Sequence, residues 1–188
     1  MTAGIVLTGG ASQRMGSPKA LLDLGGMTLL ERIHATFAGF CERVWIVTGA
    51  HDRELKEALP GLASKMIWNE RHLEGQFGSL KKGLDACLDA DAVLFSPVDF
   101  AGVSPGTVAI LFRHDGEILK PRYEGKSGHP VLVRGAALEA LRAGGSGESA
   151  KSILSKFGSV YLDVEDRAVA EDSDTPEDYA RLLRWWGR

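Results

Sequence analysis

The chain has 188 residues, 44% apolar and 25% charged, with 22 Lys plus Arg against 25 Asp plus Glu and a formal net charge of −3. That length suits a single domain spanning residues 1–188 with one continuous core. The charge balance argues against a general nucleic-acid binder, which carries a basic excess or stripe. No apolar run is long enough to cross a membrane, and MTAGIVLTGGAS lacks the basic start and long apolar middle of a signal peptide. Cys41 and Cys87 lie far apart, and neither they nor the five scattered histidines show metal-ligand spacing. We therefore expect reduced thiols, no zinc and a cytoplasmic setting.

Strand and helix patterns alternate in chain order. Ile5–Val6–Leu7 is a short apolar run stopped by glycines, as in a buried strand. Thr28 and Glu31 form a capping box, and Leu29, Leu30, Ile33, Phe37 and Phe40 follow at helical spacing. Val44 to Val47 reads as a second strand, Asp52 to Leu59 as a short helix, and Met66 to Trp68 as a third strand. Ser79 to Leu88 reads as a helix presenting Leu80, Leu84 and Leu88 on one face. Ala92 to Phe95 is a fourth strand, and Ser104–Pro105 opens a helix to about Phe112.

This rhythm predicts an α/β fold with a mainly parallel sheet. It then breaks. Ile118 to Tyr123 and Pro130 to Val133 flank a turn at residues 124–128, as in a β-hairpin. Helical stretches near Gly135–Arg142 and Glu148–Phe157 precede a strand at Val160–Leu162. The last helix opens at Thr175–Pro176, with Tyr179, Leu182, Leu183 and Trp186 as its apolar stripe. Trp185 falls off that stripe, so we expect it to be exposed.

The densest chemistry lies in Leu7-Thr-Gly-Gly-Ala-Ser-Gln-Arg-Met-Gly-Ser-Pro-Lys19. Glycines after a strand let successive backbone N–H groups approach phosphate oxygens. Arg14 offers a planar fork, Lys19 a point charge and Ser12 a hydroxyl. Two familiar phosphate loops do not fit. Gly16 is followed by Ser17–Pro18–Lys19 rather than the Gly-Lys-Ser/Thr of a P-loop, and Gly9–Gly10 does not supply Gly-x-Gly-x-x-Gly. A flexible charged turn is the alternative reading of these residues.

This loop resembles the signature of the MobA-like nucleotidyltransferases, Leu-Ala-Gly/Ala-Gly-x-Ser-x-Arg-Met-Gly-x-x-Lys. The resemblance recurs along the chain. Asn69 to Leu84 is similar to the family's Asn…Gly-x-x-x-Ser-Leu-x-x-Gly-Leu segment, and Ser96–Pro97–Val98–Asp99 falls where the family has an Asp at a strand end. Pro121 to Pro130 resembles Pro-x-Tyr-x-Gly-x-x-Gly-His-Pro, and Asp172 to Asp178 resembles the closing Asp-Thr-Pro-Glu-Asp motif. Thr8 replaces the usual Ala. Phe100–Ala101 follows Asp99 where many members have Asp-x-Pro.

The resemblance implies a Rossmann-like three-layer sandwich with helices on both faces of the sheet and a small β-hairpin insertion, as in nucleotide-diphospho-sugar transferases. It also implies Mg²⁺-dependent transfer of a nucleoside monophosphate from an NTP, CTP or GTP, to an anionic phosphate acceptor. Molybdopterin cofactor is the expected acceptor, and a molybdoenzyme client is a further partner. Gly9–Gly10 is closer to the guanylyltransferase loop, whereas Gly128–His129–Pro130 favours the cytidylyltransferases. Sugar- or alditol-phosphate transfer, and a non-catalytic cofactor carrier, are the competing functions.

Carried over residue by residue, Arg14, Lys19 and Asp99 are the catalytic candidates. Asp99 and Asp174 are the metal ligands, with Asp172 behind them. Leu7, Thr8, Gly9, Gly10, Ser12, Gln76 and Ser79 would line the nucleotide, with Asn69 at the ribose and His129 on the acceptor side. Plain structural roles compete at several of these: a turn for Asp99, helix-dipole placement for Asp174, caps for Ser79 and Asn69, and packing for His129. Lys120 and Arg122 are candidates for the anionic acceptor, or solvated hairpin charges.

Overall fold

The computed structural model describes residues 1–9, 18–145 and 147–186. Four parallel strands form one side of its sheet: β1 (Thr2–Leu7), β2 (Arg43–Thr48), β3 (Met66–Trp68) and β4 (Ala92–Pro97). The sheet continues through β7 (Val131–Arg134), antiparallel to β4, and β5 (Ile118–Tyr123), which pairs with the two-residue β6 (Lys126–Ser127). Strand β8 (Val160–Asp163) closes the far edge, parallel to β5. The order is β3-β2-β1-β4-β7-β5, with the expected hairpin joined directly to the main sheet.

Period-2 alternation sends side chains to two cores. Val6, Ile46, Leu94, Leu119 and Leu132 pack with Leu30, Ile33 and Phe37 of α1 (Leu29–Ala38), with Val108 and Leu111 of α4 (Pro105–Phe112), and with Leu182 of α7 (Pro176–Trp185). Ile5, Leu7, Val47, Val93, Phe95, Ile118, Val131 and Val133 face the other way. They meet α3 (Gln76–Asp85), α5 (Gly135–Ala143) and α6 (Ala150–Leu154). Helices thus cover both faces, as expected. The short helix α2 (Asp52–Ala58) joins β2 to β3.

The expected caps form. Thr28 and Glu31 make a reciprocal capping box, the Ser104 side chain accepts from the Thr107 N–H, and Thr175 and Asp178 make a second box. Other expectations need correction. Helix α3 begins at Gln76, three residues early, behind Gly75 at φ 109°, a backbone shape that glycine alone adopts readily. It ends before Leu88, which is 66% exposed instead of joining Leu80 and Leu84 in the core. The 148–157 helix shrinks to Ala150–Leu154. The hairpin turn is only Glu124–Gly125, both at positive φ, the geometry that matches two-residue hairpins to strand twist. In α7 the positions of two side chains differ from expectation. Leu183 is exposed, while Trp185 is half-buried against the core with the Arg167 guanidinium 5.5 Å from its ring.

Gly83 explains how closely α3 lies on the sheet. A Cβ there would sit 2.7 Å from Ile5 Cγ2, so any larger residue would push the helix off β1. No helix among the described residues is long and apolar enough to cross a membrane.

Candidate active site

Because β1, β2 and β4 are parallel and in register, Leu7, Val47 and Pro97 end side by side. Open α/β sheets bind ligands at this carboxyl edge. The segments that leave it carry most of the sequence-derived candidates.

On one side, Leu7 is buried and Thr8 is turned inward. The Thr8 N–H and hydroxyl both donate to the Val47 carbonyl, at 2.9 and 3.1 Å. Both Thr8 donors are therefore spent on the scaffold. Gly9 follows in a tight seat. A Cβ on Gly9 would lie 3.0 Å from Ser79 Oγ, and one on Gly49 would lie 2.9 Å from the Gly9 carbonyl oxygen. Gly10, Ser12 and Arg14 lie outside the described residues.

Asn69 and Ser79 are buried and hold each other. Asn69 Nδ2 donates to Ser79 Oγ at 3.0 Å, Asn69 Oδ1 accepts from the Arg71 N–H at 3.1 Å, and His72 Nδ1 donates to the Asn69 carbonyl at 3.1 Å. They form the wall behind Gly9. Gln76, first residue of α3, is exposed at the rim.

The second group centres on Lys19, which opens the turn at Lys19–Leu21. Its Nζ donates to Asp99 Oδ1 at 3.0 Å and to Asp174 Oδ1. Asp99 lies in the turn Val98–Phe100 just past β4, and Asp174 lies two residues before α7. Two carboxylates from distant parts of the chain thus converge on one cation. Ser173, itself 1% exposed, ties them together by donating from Oγ to the Asp99 carbonyl at 3.0 Å.

Charge is tightly coupled here. Burial alone would push the Lys19 ammonium down, but its bond to Asp174 and the charge and bond of Asp99 outweigh this and hold it above its ordinary value. Burial pushes the Asp99 carboxyl up. Lys19 opposes that rise, and the negative charges of Asp174 and Asp172 reinforce it. A carboxylate pair crowded this way is suited to a cation. Mg²⁺ takes one or two carboxylates plus phosphate oxygens, and Asp99 and Asp174 are the carboxylates here that could hold such an ion. Among the described residues no three His, Cys, Asp or Glu gather around one metal position.

The third group is the segment after β6. Gly128 is pressed against Val169, where a Cβ would come within 1.5 Å of the carbonyl oxygen, and the His129 N–H donates to that same oxygen at 3.0 Å. The His129 ring packs against Phe95 and Phe100, with centroids 6.1 and 4.8 Å away, and its Nδ1 is buried with no hydrogen-bond partner among the described residues. Burial pushes this imidazole down to about 4, against a smaller upward pull from a hydrogen bond with the Phe95 backbone. It is neutral at pH 7. Phe100 places it one residue from Asp99. Of the two hairpin cations, Arg122 is engaged by Asp163 through bonds of 2.7 and 2.9 Å and lies 5.8 Å from the Tyr161 ring centre. Lys120 is half-buried on the same strand.

Sequence reasoning missed Gly49, His72 and Ser173. Gly49 follows a strand, which is a usable signal. A lone Ser between two aspartates gives none, because its burial depends on a contact 74 residues away.

Residues 4–160 match the family described as MobA-like NTP transferase domain. The chain is 28% identical over 184 residues to a molybdenum cofactor cytidylyltransferase of Escherichia coli (strain K12), covering 93% of this chain and 92% of that one. It is 33% identical over 106 residues to a molybdenum cofactor guanylyltransferase of Sinorhizobium fredii, covering 56% and 48%. The crystal structure of Rv0371c from Mycobacterium tuberculosis H37Rv shares the fold at a TM-score of 0.84 and 24% identity, with 97% of each chain covered. A manganese complex of Rv0371c aligns at 0.81 and 22% identity, covering 98% of each chain. With most of its length matched by one family and its fold shared, the chain belongs to the MobA-like NTP transferase domain family and is a nucleotidyltransferase.

Proposed function

We propose that the chain, acting as a single domain, transfers CMP from CTP to molybdopterin-type cofactor with Mg²⁺ as its ion. The observation that carries this reading is the convergence of Asp99 and Asp174 on one cation beside the end of β1. The extent of the match to the cytidylyltransferase relative supports the base and the acceptor. The manganese complex of a structural relative supports a divalent ion.

In this reading the nucleotide lies along the sheet edge, with its base near the Gly9 backbone and Gln76. Asn69 and Ser79 position that wall from behind. An oxygen of the acceptor's phosphate forms a bond to the α-phosphorus, the bond from α-phosphorus to the bridging oxygen breaks, and pyrophosphate leaves. Such chemistry is mostly positioning and charge neutralisation. Asp99 and Asp174 would hold the ion, which when bound would supply part of that charge neutralisation. Arg14 and Lys19 steady the triphosphate and the departing pyrophosphate. Neutral His129, packed against two phenylalanines, shapes the acceptor side without adding charge.

Incubation with Mg²⁺, molybdopterin and each of CTP, GTP, UTP and ATP tests the reading. Pyrophosphate release with CTP preferred is expected. Preference for GTP selects the guanylyl reading, which Gly9–Gly10 and the 33% identity to a guanylyltransferase favour. Tight molybdopterin binding with no turnover of any NTP would instead indicate a carrier.

A further inference from the structure

The Lys19 ammonium occupies the point that Asp99 and Asp174 share. A divalent ion bound by the same two carboxylates needs that same point. Both cations cannot be there: the ammonium repels the ion, and each wants the same oxygens. Asp172 adds negative charge at Asp99, which strengthens the pull on a cation there. The Lys19 backbone is anchored. Ala20 is buried, the Leu22 N–H donates to the Lys19 carbonyl at 2.9 Å, and the Leu21 N–H donates to Pro18 at 2.9 Å. The four-carbon side chain is the part able to move.

We propose that Lys19 is an internal counter-ion for the metal carboxylates, and that entry of metal together with nucleotide transfers its ammonium from Asp99 and Asp174 to the triphosphate. The exchange rests on the metal-dependent reading above. It involves no covalent step. Metal alone has to strip Lys19 of two charge-assisted hydrogen bonds and offers none in return. Nucleotide supplies new oxygens for both cations. Metal and nucleotide therefore bind cooperatively, each raising the other's affinity by the same factor.

The test is Mn²⁺ binding, read by electron paramagnetic resonance of the unbound ion, for the wild-type chain and Lys19→Gln, each alone and with CTP or GTP. Wild type is expected to bind Mn²⁺ weakly alone and more tightly with nucleotide. Lys19→Gln is expected to bind Mn²⁺ alone at least about tenfold more tightly than wild type, because the competing charge is gone. A Lys19→Gln affinity no tighter than wild type overturns the exchange. If wild type still couples Mn²⁺ to nucleotide in that case, the transferase reading survives. If neither protein binds Mn²⁺ under any condition, both fall. A second readout needs no variant: acetylation of Lys19 by acetic anhydride, followed by mass spectrometry. It should be slow in the protein alone, faster with saturating Mn²⁺, and slow again once nucleotide is added. Equal rates with and without Mn²⁺ overturn the exchange.

Discussion

Ser173 Oγ donates to the main-chain carbonyl of Asp99 at 3.0 Å, from a side chain only 1% exposed. That bond joins the end of β4 to the segment entering α7, and so sets the separation of Asp99 from Asp174. Ser173→Ala leaves the bond unmade in a buried place, at a cost of about 1–3 kcal/mol. Thermal unfolding should show that loss. The Mg²⁺ concentration for half-maximal activity should rise, and Ser173→Thr should restore it. An unchanged Mg²⁺ requirement in Ser173→Ala would limit the residue to packing.

Among the described glycines, Gly128 has the least room for a single added carbon. A Cβ there would overlap the Val169 carbonyl at 1.5 Å, and that carbonyl also receives the His129 N–H. Gly128→Ala should lose about 3 kcal/mol or more of stability, since backbone has to move to admit it. Gly158→Ala, with nothing within 4 Å of the added carbon, is the control and should change stability by about 0.5 kcal/mol or less. Similar melting temperatures for the two variants would contradict the packing described.

His129 sets an acid limit on stability. Its folded value of about 4 lies below the ordinary 6.5, so the unfolded chain binds the proton first as pH falls. The stabilisation is fully present above about pH 6.5 and is lost progressively as pH drops towards 4, reaching about 3 kcal/mol. Denaturant titrations at pH 7 and pH 4.5 on wild type and His129→Phe should show a smaller acid loss in the variant. Parallel losses would place the acid sensitivity elsewhere.

The two thiols should be inert in the native chain. Burial pushes Cys41 up to about 12 and Cys87 up to about 11, and Cys87 Sγ donates to the Gly83 carbonyl at 3.3 Å. Little thiolate exists at pH 7.5, and thiolate is the reacting form. Iodoacetamide should label neither residue in the folded chain and both in denaturant. Rapid native labelling of Cys87 would show that α3 opens from the sheet.

Local rules made most of the framework legible. Thr28 with Glu31, Ser104 with Pro105, and Thr175 with Pro176 marked helix starts because caps act within one turn. The apolar cores of β1, β2 and β4 marked buried strands. Three local features misled. Ser79 looks like a cap, but it is buried in the second turn of a helix that Gly75 begins. Leu88 keeps helical spacing after the helix has ended, and Trp185 breaks the stripe yet packs with Arg167 and the core. The candidate site divides along the same line. Asp99, Lys19 and Asp174 were legible as residue types in motifs. The pairing of Asp99 with Asp174 came from the family resemblance alone, and the seat of Lys19 between them was not legible, because Lys19 and Asp174 stand 155 residues apart.

In the proposed reaction Asp99 carries the ion that neutralises the triphosphate. Pyrophosphate release from CTP and molybdopterin at saturating Mg²⁺ tests it in wild type and Asp99→Asn, which keeps the side-chain shape and removes the charge. The rate in Asp99→Asn is expected to be at least about 100-fold lower, the scale seen when one electrostatic stabiliser is removed. A folded Asp99→Asn chain that turns over at the wild-type rate would contradict it.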